Sequence, residues 1–197
     1  MSKKKTPKTV AAEEPQLQPD VQAEEPAVVK EITNNNHKNT TSMALERTLV
    51  LLKPCTIQRG LIGEVISRFE KKGLKLAALK MYQMSKEKCA EHYAHLLQKP
   101  FYPLIEASMM ASPVILCCWE GTDAVEVVRS MTGATNCRKA VPGTIRGDFG
   151  MSGQENIIHT SDSPENAAIE LKRFFSEEDF FDYSSPLINF LYAPDEV

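Results

Sequence analysis

The segment Asn156-Ile157-Ile158-His159-Thr160-Ser161-Asp162-Ser163 gathers side chains that could do chemistry. Two β-branched residues lift an imidazole to the end of a short buried strand. Small hydroxyl and carboxylate side chains then start a helix. Neutral imidazole is a nucleophile. Just upstream, Pro142-Gly143-Thr144-Ile145-Arg146-Gly147-Asp148-Phe149 holds an arginine between two glycines that let the backbone approach a ligand. Lys53 closes an earlier apolar run and is followed by Pro54. A rigid histidine near lysine, arginine and small polar donors suits phosphoryl transfer through a phosphohistidine. The imidazole attacks, and the cations and donors hold a polyphosphate in line.

Each residue also has a plain structural reading. A histidine at a strand end is commonly just hydrogen-bonded, a strand-end lysine snorkels to solvent, and helical Arg129 and Glu170 are ordinary surface charges. Phe101 and Tyr102 after Pro100 serve equally as core or as a stacking lid. His159, Ser161 and Asp162 are not a hydrolase triad, since neighbours along one turn point apart and no G-x-S-x-G elbow is present. No G-x-x-x-x-G-K-[ST] loop occurs, so any nucleotide phosphates must be held by side-chain cations and a metal ion. His92 and His95, three apart on a helix, lack a third ligand at suitable spacing and read as surface histidines.

The elements that must position these groups follow from periodicity. Arg47 to Lys53 reads as a buried central strand and Leu74 to Gln83 as a second. Between them Leu61, Ile62, Val65, Ile66 and Phe69 recur at helical spacing up to Gly73. Ser85 caps a helical pair that runs to Met110 with a break at Pro100. Pro113 to Trp119 is the most apolar strand, and Asp123 to Met131 an amphipathic helix. Thr132 to Glu155 reads as one long irregular loop, of a kind usually functional. A short Ile157-Ile158 strand and a helix from Ser163 to Phe175, with Pro164 at its first position, complete the order. That order predicts an α+β fold with helices packed on one face of an antiparallel sheet.

Residues 1–44 hold four prolines but none of the nine glycines and none of the aromatic residues. Six lysines there balance six acids, so the net charge of −3 belongs to the rest of the chain. The segment lacks the apolar surface to offset ordering entropy, and a disordered extension is expected ahead of one domain over residues 45–197. A negative domain argues against nucleic acid as the primary partner, and no stretch is apolar enough to span a bilayer. Five cysteines without C-x-x-C spacing point to reduced thiols in the cytoplasm.

On four blocks the chain from about Leu45 to Ala193 resembles nucleoside diphosphate kinases. These are Glu46-Arg47-Thr48 with Lys53-Pro54, Gln58 to Glu64, Pro142 to Phe149, and Asn156 to Ser163. The resemblance implies a ferredoxin-like fold, an antiparallel sheet covered by helices, with an inserted helical hairpin and a long loop before the last strand. It implies a phosphotransferase, Mg²⁺-dependent and ping-pong, that moves the γ-phosphate of a nucleoside triphosphate to a nucleoside diphosphate. Under it His159 is the phosphorylated residue, Glu170 the carboxylate on its other ring nitrogen, and Ser161 a hydrogen-bonding neighbour. Lys53, Tyr93, Arg129, Thr135, Arg146 and Asn156 match phosphate and ribose contacts. Phe101 with Ile105 matches the base-stacking site, and Asp162 an acid near the metal-bound phosphates.

The resemblance further implies a homo-oligomer built from dimers, a hexamer in preference to a tetramer. A family-fold scaffold with little turnover, or phosphate relay from His159 to proteins, is the alternative function. Some positions depart from the family pattern. Cys55-Thr56 stands where many members have Asp-Gly. Gly153 and Glu155 replace more usual apolar and basic residues, and Cys137 stands where proline is frequent.

Overall fold

Strand β1 (Glu46–Leu52) is buried from Thr48 to Leu52 without alternation, which requires cover on both faces. In this computed structural model, which describes residues 45–185 and 187–193, that cover is present. The expectation for residues 1–44 lies outside the described residues.

Along the chain β1 is followed by α1 (Pro54–Gln58), α2 (Ile62–Lys72), β2 (Lys75–Tyr82), α3 (Lys86–His92) and α4 (Tyr102–Met110). Then come β3 (Val114–Gly121), α5 (Ala124–Thr132), α6 (Ile145–Phe149), β4 (Ile158–Thr160), α7 (Pro164–Phe174) and a final turn of helix at Ile188–Leu191. The sheet order is β2-β3-β1-β4 and all three pairings are antiparallel. This is the ferredoxin-like arrangement, with α3 and α4 as the inserted hairpin.

The expectation of helices on one face is corrected. Leu49 and Leu51 of β1, with Leu116 and Cys118 of β3, pack against Cys89 of α3, Met109 of α4, and Leu171 and Phe174 of α7. Val50 and Leu52, with Ile115, Cys117 and Trp119, pack on the opposite face against Val65 and Phe69 of α2 and Val128 of α5. The last helix and the inserted hairpin supply the second layer. This is why β3 is buried at every position and why its sequence shows no polar alternation.

Local signals set the helix ends. Gly73 terminates α2 in the left-handed region at φ 99°, where a side chain would also collide with Leu191. Lys71 and Lys72 complement the dipole of that last turn. Ser85 and Ser163 accept backbone N–H groups at the starts of α3 and α7, and Pro164 takes the first position of α7.

The segment expected to be irregular is not wholly so. It contains a 3₁₀ turn, Cys137–Lys139, capped by Asn136, and it contains α6, capped by Thr144. Five residues that include a glycine carry too little periodicity to announce a helix. Gly147 is required there because a Cβ would sit 2.1 Å from the carbonyl oxygen of Val141.

Candidate active site

β1 and β4 lie side by side, with Leu51 opposite His159, so the sheet itself brings Lys53 and the histidine to one edge of a cleft. Pro54 cannot extend the ladder. The chain turns into α1, and the Lys53 N–H bonds the carbonyl of Ile157 at 2.9 Å. Thr56 donates its hydroxyl to the same carbonyl. Ile157 has φ 72°, and the N–H of Ile158 reaches the carbonyl of Asn156 at 2.8 Å. This is a γ-turn with a fully buried isoleucine at its centre, a costly conformation for a β-branched residue. β4 therefore begins at Ile158, one residue later than expected, and the turn aims His159 into the cleft.

His159 Nε2 lies 2.9 Å from Glu170 Oε1 on α7, and the Ser161 hydroxyl donates to Glu170 Oε2 at 2.5 Å. A carboxylate at Nε2 assigns the ring proton to that nitrogen and leaves the lone pair on Nδ1 for nucleophilic attack. Burial works against ionised Glu170. The hydrogen bond and charge of His159, with the Ser161 hydroxyl, outweigh it and bring the pKa down to about 2. Ser161 is itself buried and reaches the site only through Glu170.

The cations are held differently from one another. Lys53 has its pKa lowered to about 8, by burial and then by the charge of Arg146, and its ammonium donates to the carbonyl of Gln154 at 3.1 Å. Arg146 is buried on α6 and donates to the carbonyls of Asn156, Gly133 and Ile158 at 3.2, 2.9 and 2.7 Å. Two of its five N–H groups are left over. Arg129 projects from α5 and is exposed at the cleft. Among the described residues none of the three forms an ion pair. That pattern suits a site awaiting a polyanion, since buried charges are otherwise paired.

The remaining expected residues line the same cleft. Phe101, half exposed ahead of α4, and Ile105 within it form an apolar end. Thr135 is exposed there and its carbonyl accepts from Asn156 Nδ2 at 3.0 Å. Asn156 Oδ1 is buried with no partner among the described residues, which marks an acceptor awaiting a donor. Tyr93 is almost fully buried and its phenol is likewise unpartnered; burial first, then Cys89 and Glu170, raise its pKa. Asp162 is exposed and accepts from Asn166 Nδ2 at 2.6 Å, and its other carboxylate oxygen has no partner among the described residues.

His92 was expected at the surface and is not there. It is buried, with its ring 4.5 Å from that of His159 and 5.2 Å from Phe174. Burial, then the neighbouring His159, push its pKa down to about 3, so it stays neutral, and Arg173 donates to its Nδ1 at 3.2 Å. The sequence held a usable signal. Cys89 and His92 are three apart behind the Ser85 cap and share the inner face of α3. His95 lies beyond that helix and is exposed.

Residues 46–180 match the family model described as nucleoside diphosphate kinase. The nucleoside diphosphate kinase of Parabacteroides distasonis is 60% identical over 152 residues, covering 77% of this chain and 99% of the relative. That of Rhodopirellula baltica is 49% identical over 152 residues, 77% of this chain and 100% of the relative. Among solved structures, a halophilic nucleoside diphosphate kinase from Halobacterium salinarum in complex with CDP superposes with a TM-score of 0.73 at 39% identity, covering 75% of this chain and 99% of that one. Sequence and backbone thus agree over about three quarters of this chain. The chain belongs to the nucleoside diphosphate kinase family, and its activity is the family's transfer of a phosphoryl group from a nucleoside triphosphate to a nucleoside diphosphate.

Proposed function

We propose that His159 Nδ1 carries the phosphoryl group between the two nucleotides. The observation that supports this is the Glu170 carboxylate on Nε2, which fixes the tautomer and stabilises the ring as positive charge develops. In the first half-reaction the Nδ1–P bond forms as the bond from the γ-phosphorus to the bridging oxygen breaks, and the nucleoside diphosphate leaves. An incoming diphosphate oxygen then attacks the phosphohistidine and returns Nδ1 to its starting state. Lys53 and Arg129 hold the phosphates, and Arg146 both shapes the loop and offers its two remaining N–H groups. Asn156 Oδ1 accepts from a ribose hydroxyl, the Thr135 and Tyr93 hydroxyls donate to ribose or phosphate oxygens, and the base stacks on Phe101 beside Ile105. Contacts dominated by phosphate and a stacking ring accept any base. The CDP bound by the halobacterial relative accords with such a cleft.

Mg²⁺ fits this arrangement as a phosphate-held ion. Asp162 offers one carboxylate oxygen with no partner among the described residues, in keeping with a hard cation that keeps its waters and binds mainly through substrate. Bound there, it neutralises charge on the transferring phosphate.

Residues 45–193 suffice for this chemistry, so removing residues 1–42 leaves turnover unchanged. The reduced, buried thiols suit the cytoplasm, and no helix among the described residues is long and apolar enough to cross a membrane. Edge strand β2 exposes Leu79 and Met81, and the C-terminal segment exposes Phe181 and Phe190. These surfaces fit burial between copies of the chain in a homo-oligomer, and the family resemblance makes a hexamer built from dimers the form we propose. Light scattering distinguishes six subunit masses from four, and a stable monomer refutes both.

Incubation with γ-labelled ATP and Mg²⁺ tests the central step. Label on His159 is acid-labile and alkali-stable, moves to an added nucleoside diphosphate, and is absent from His159→Ala. Retention of label by that variant overturns the assignment.

A further inference from the structure

Two positions at which the chain departs from the family pattern, Cys55 and Glu155, meet at the edge of the cleft. The Glu155 carboxylate accepts from the Ser108 hydroxyl at 2.5 Å. Among the described residues this is the one side-chain hydrogen bond between α4 and the loop that leads to Asn156. The Cys55 thiol, on α1, lies beside the same carboxylate; burial, and after it this negative charge, raise the thiol's pKa. A single side chain thus touches the Lys53 turn, the helix that carries Ile105, and the loop that delivers Asn156 and His159. Ser108 stands three residues after Ile105, on the same stretch of α4 and in the lining of the cleft.

We infer that Glu155 is a positioning residue for the reaction: its carboxylate ties α4 to the loop and so sets the width of the base end of the cleft. It acts on nucleotide affinity and leaves the reacting atoms alone. His159, Glu170 and Lys53 are held by β1, β4 and α7, and neither the β1–β4 ladder nor the His159–Glu170 pair includes a residue of α4. The inference rests on the reading of Phe101 and Ile105 as the base contacts.

The experiment is a mutant cycle read in two quantities: the calorimetric Kd for ADP, and the saturated single-turnover rate of His159 phosphorylation. Glu155→Ala and Ser108→Ala each weaken ADP by about three- to tenfold, the range expected for one solvent-exposed hydrogen bond of ordinary strength. The double variant is no weaker than the weaker single one. Glu155→Gln, whose amide oxygen still accepts from Ser108 but carries no charge, retains affinity within about twofold. The saturated rate changes by less than about threefold throughout.

Ser108→Ala removes one hydroxyl from a helix and keeps the cycle usable if Glu155→Ala folds poorly. The inference is overturned if Ser108→Ala binds ADP normally, if the two single effects multiply in the double variant, or if the rate falls while affinity is kept. Phe101→Ala separates the two readings. If it leaves ADP affinity unchanged, the base site is misplaced and the inference falls with it. If it weakens ADP while Glu155→Ala does not, the tie alone is wrong.

Discussion

Arg146→Ala should cost stability before it costs catalysis. Its guanidinium is buried and donates to the carbonyls of Asn156, Gly133 and Ile158, so it fastens the γ-turn, the end of α5 and the start of β4 to α6. A hydrogen bond from a charged donor contributes about 1.5 kcal/mol or more, so the three together give about 4 to 5 kcal/mol. Part of this is offset, because burial disfavours the charged form and lowers the pKa of Arg146. A net loss of about 3 kcal/mol is expected, which for a domain of this size lowers the Tm by about 6 to 12 °C. Urea denaturation at fixed protein concentration measures it, with Arg129→Ala as the comparison. That exposed arginine has no ion pair among the described residues, and its removal should move the urea midpoint little while weakening nucleotide binding. Arg146→Lys recovers at most one of the three bonds, because an ammonium cannot span carbonyls arranged around a planar fork. An Arg146→Ala protein with the parental urea midpoint but no activity would refute this reasoning and leave Arg146 as a phosphate ligand only.

Three further outcomes are expected. The folded-state pKa of Glu170 lies near 2, below its ordinary 4.5, so its contribution is complete above about pH 4.5 and is lost as the pH falls towards about 2. Glu170→Gln should lack that part of the acid denaturation profile and should lose activity with it; an unchanged profile sinks the pairing. Lys53 is lowered to about 8, so its charge is lost as the pH rises through that value. kcat/KM should decline there, and Lys53→Arg should move the decline upward; a flat profile to about one pH unit beyond argues that phosphate binding does not need this charge. Ile157→Gly relieves left-handed strain of about 1 to 3 kcal/mol but empties a fully buried site and adds backbone freedom, a larger loss. The urea midpoint should fall, and a rise would show that strain outweighs burial.

Much of the molecule was legible because its signals are local. A β-branched pair before His159, a proline after Lys53, the Gly73 stop and the Ser163-Pro164 start each act within a few residues of chain. They put His159 and Lys53 at strand ends and set most of the helix ends. The sheet's second cover could not be read this way. Leu49 and Val50 are equally apolar, and only the return of α7 and the inserted hairpin gives each its own core. His92 looked like a surface histidine because its burial depends on Phe174 and His159, 82 and 67 residues away along the chain and adjacent in space. The left-handed turn at Ile157 contradicts that residue's own preference and survives because Lys53 and Thr56, from another element, hold its carbonyl. The glycines flanking Arg146 admit a ligand in the sequence, yet the three carbonyls that occupy its guanidinium belong to segments brought together only by folding. Residue chemistry and helix or strand period are properties of neighbours in sequence. Burial, charge pairing and strain are decided by neighbours in space, and here those come from the far side of the sheet.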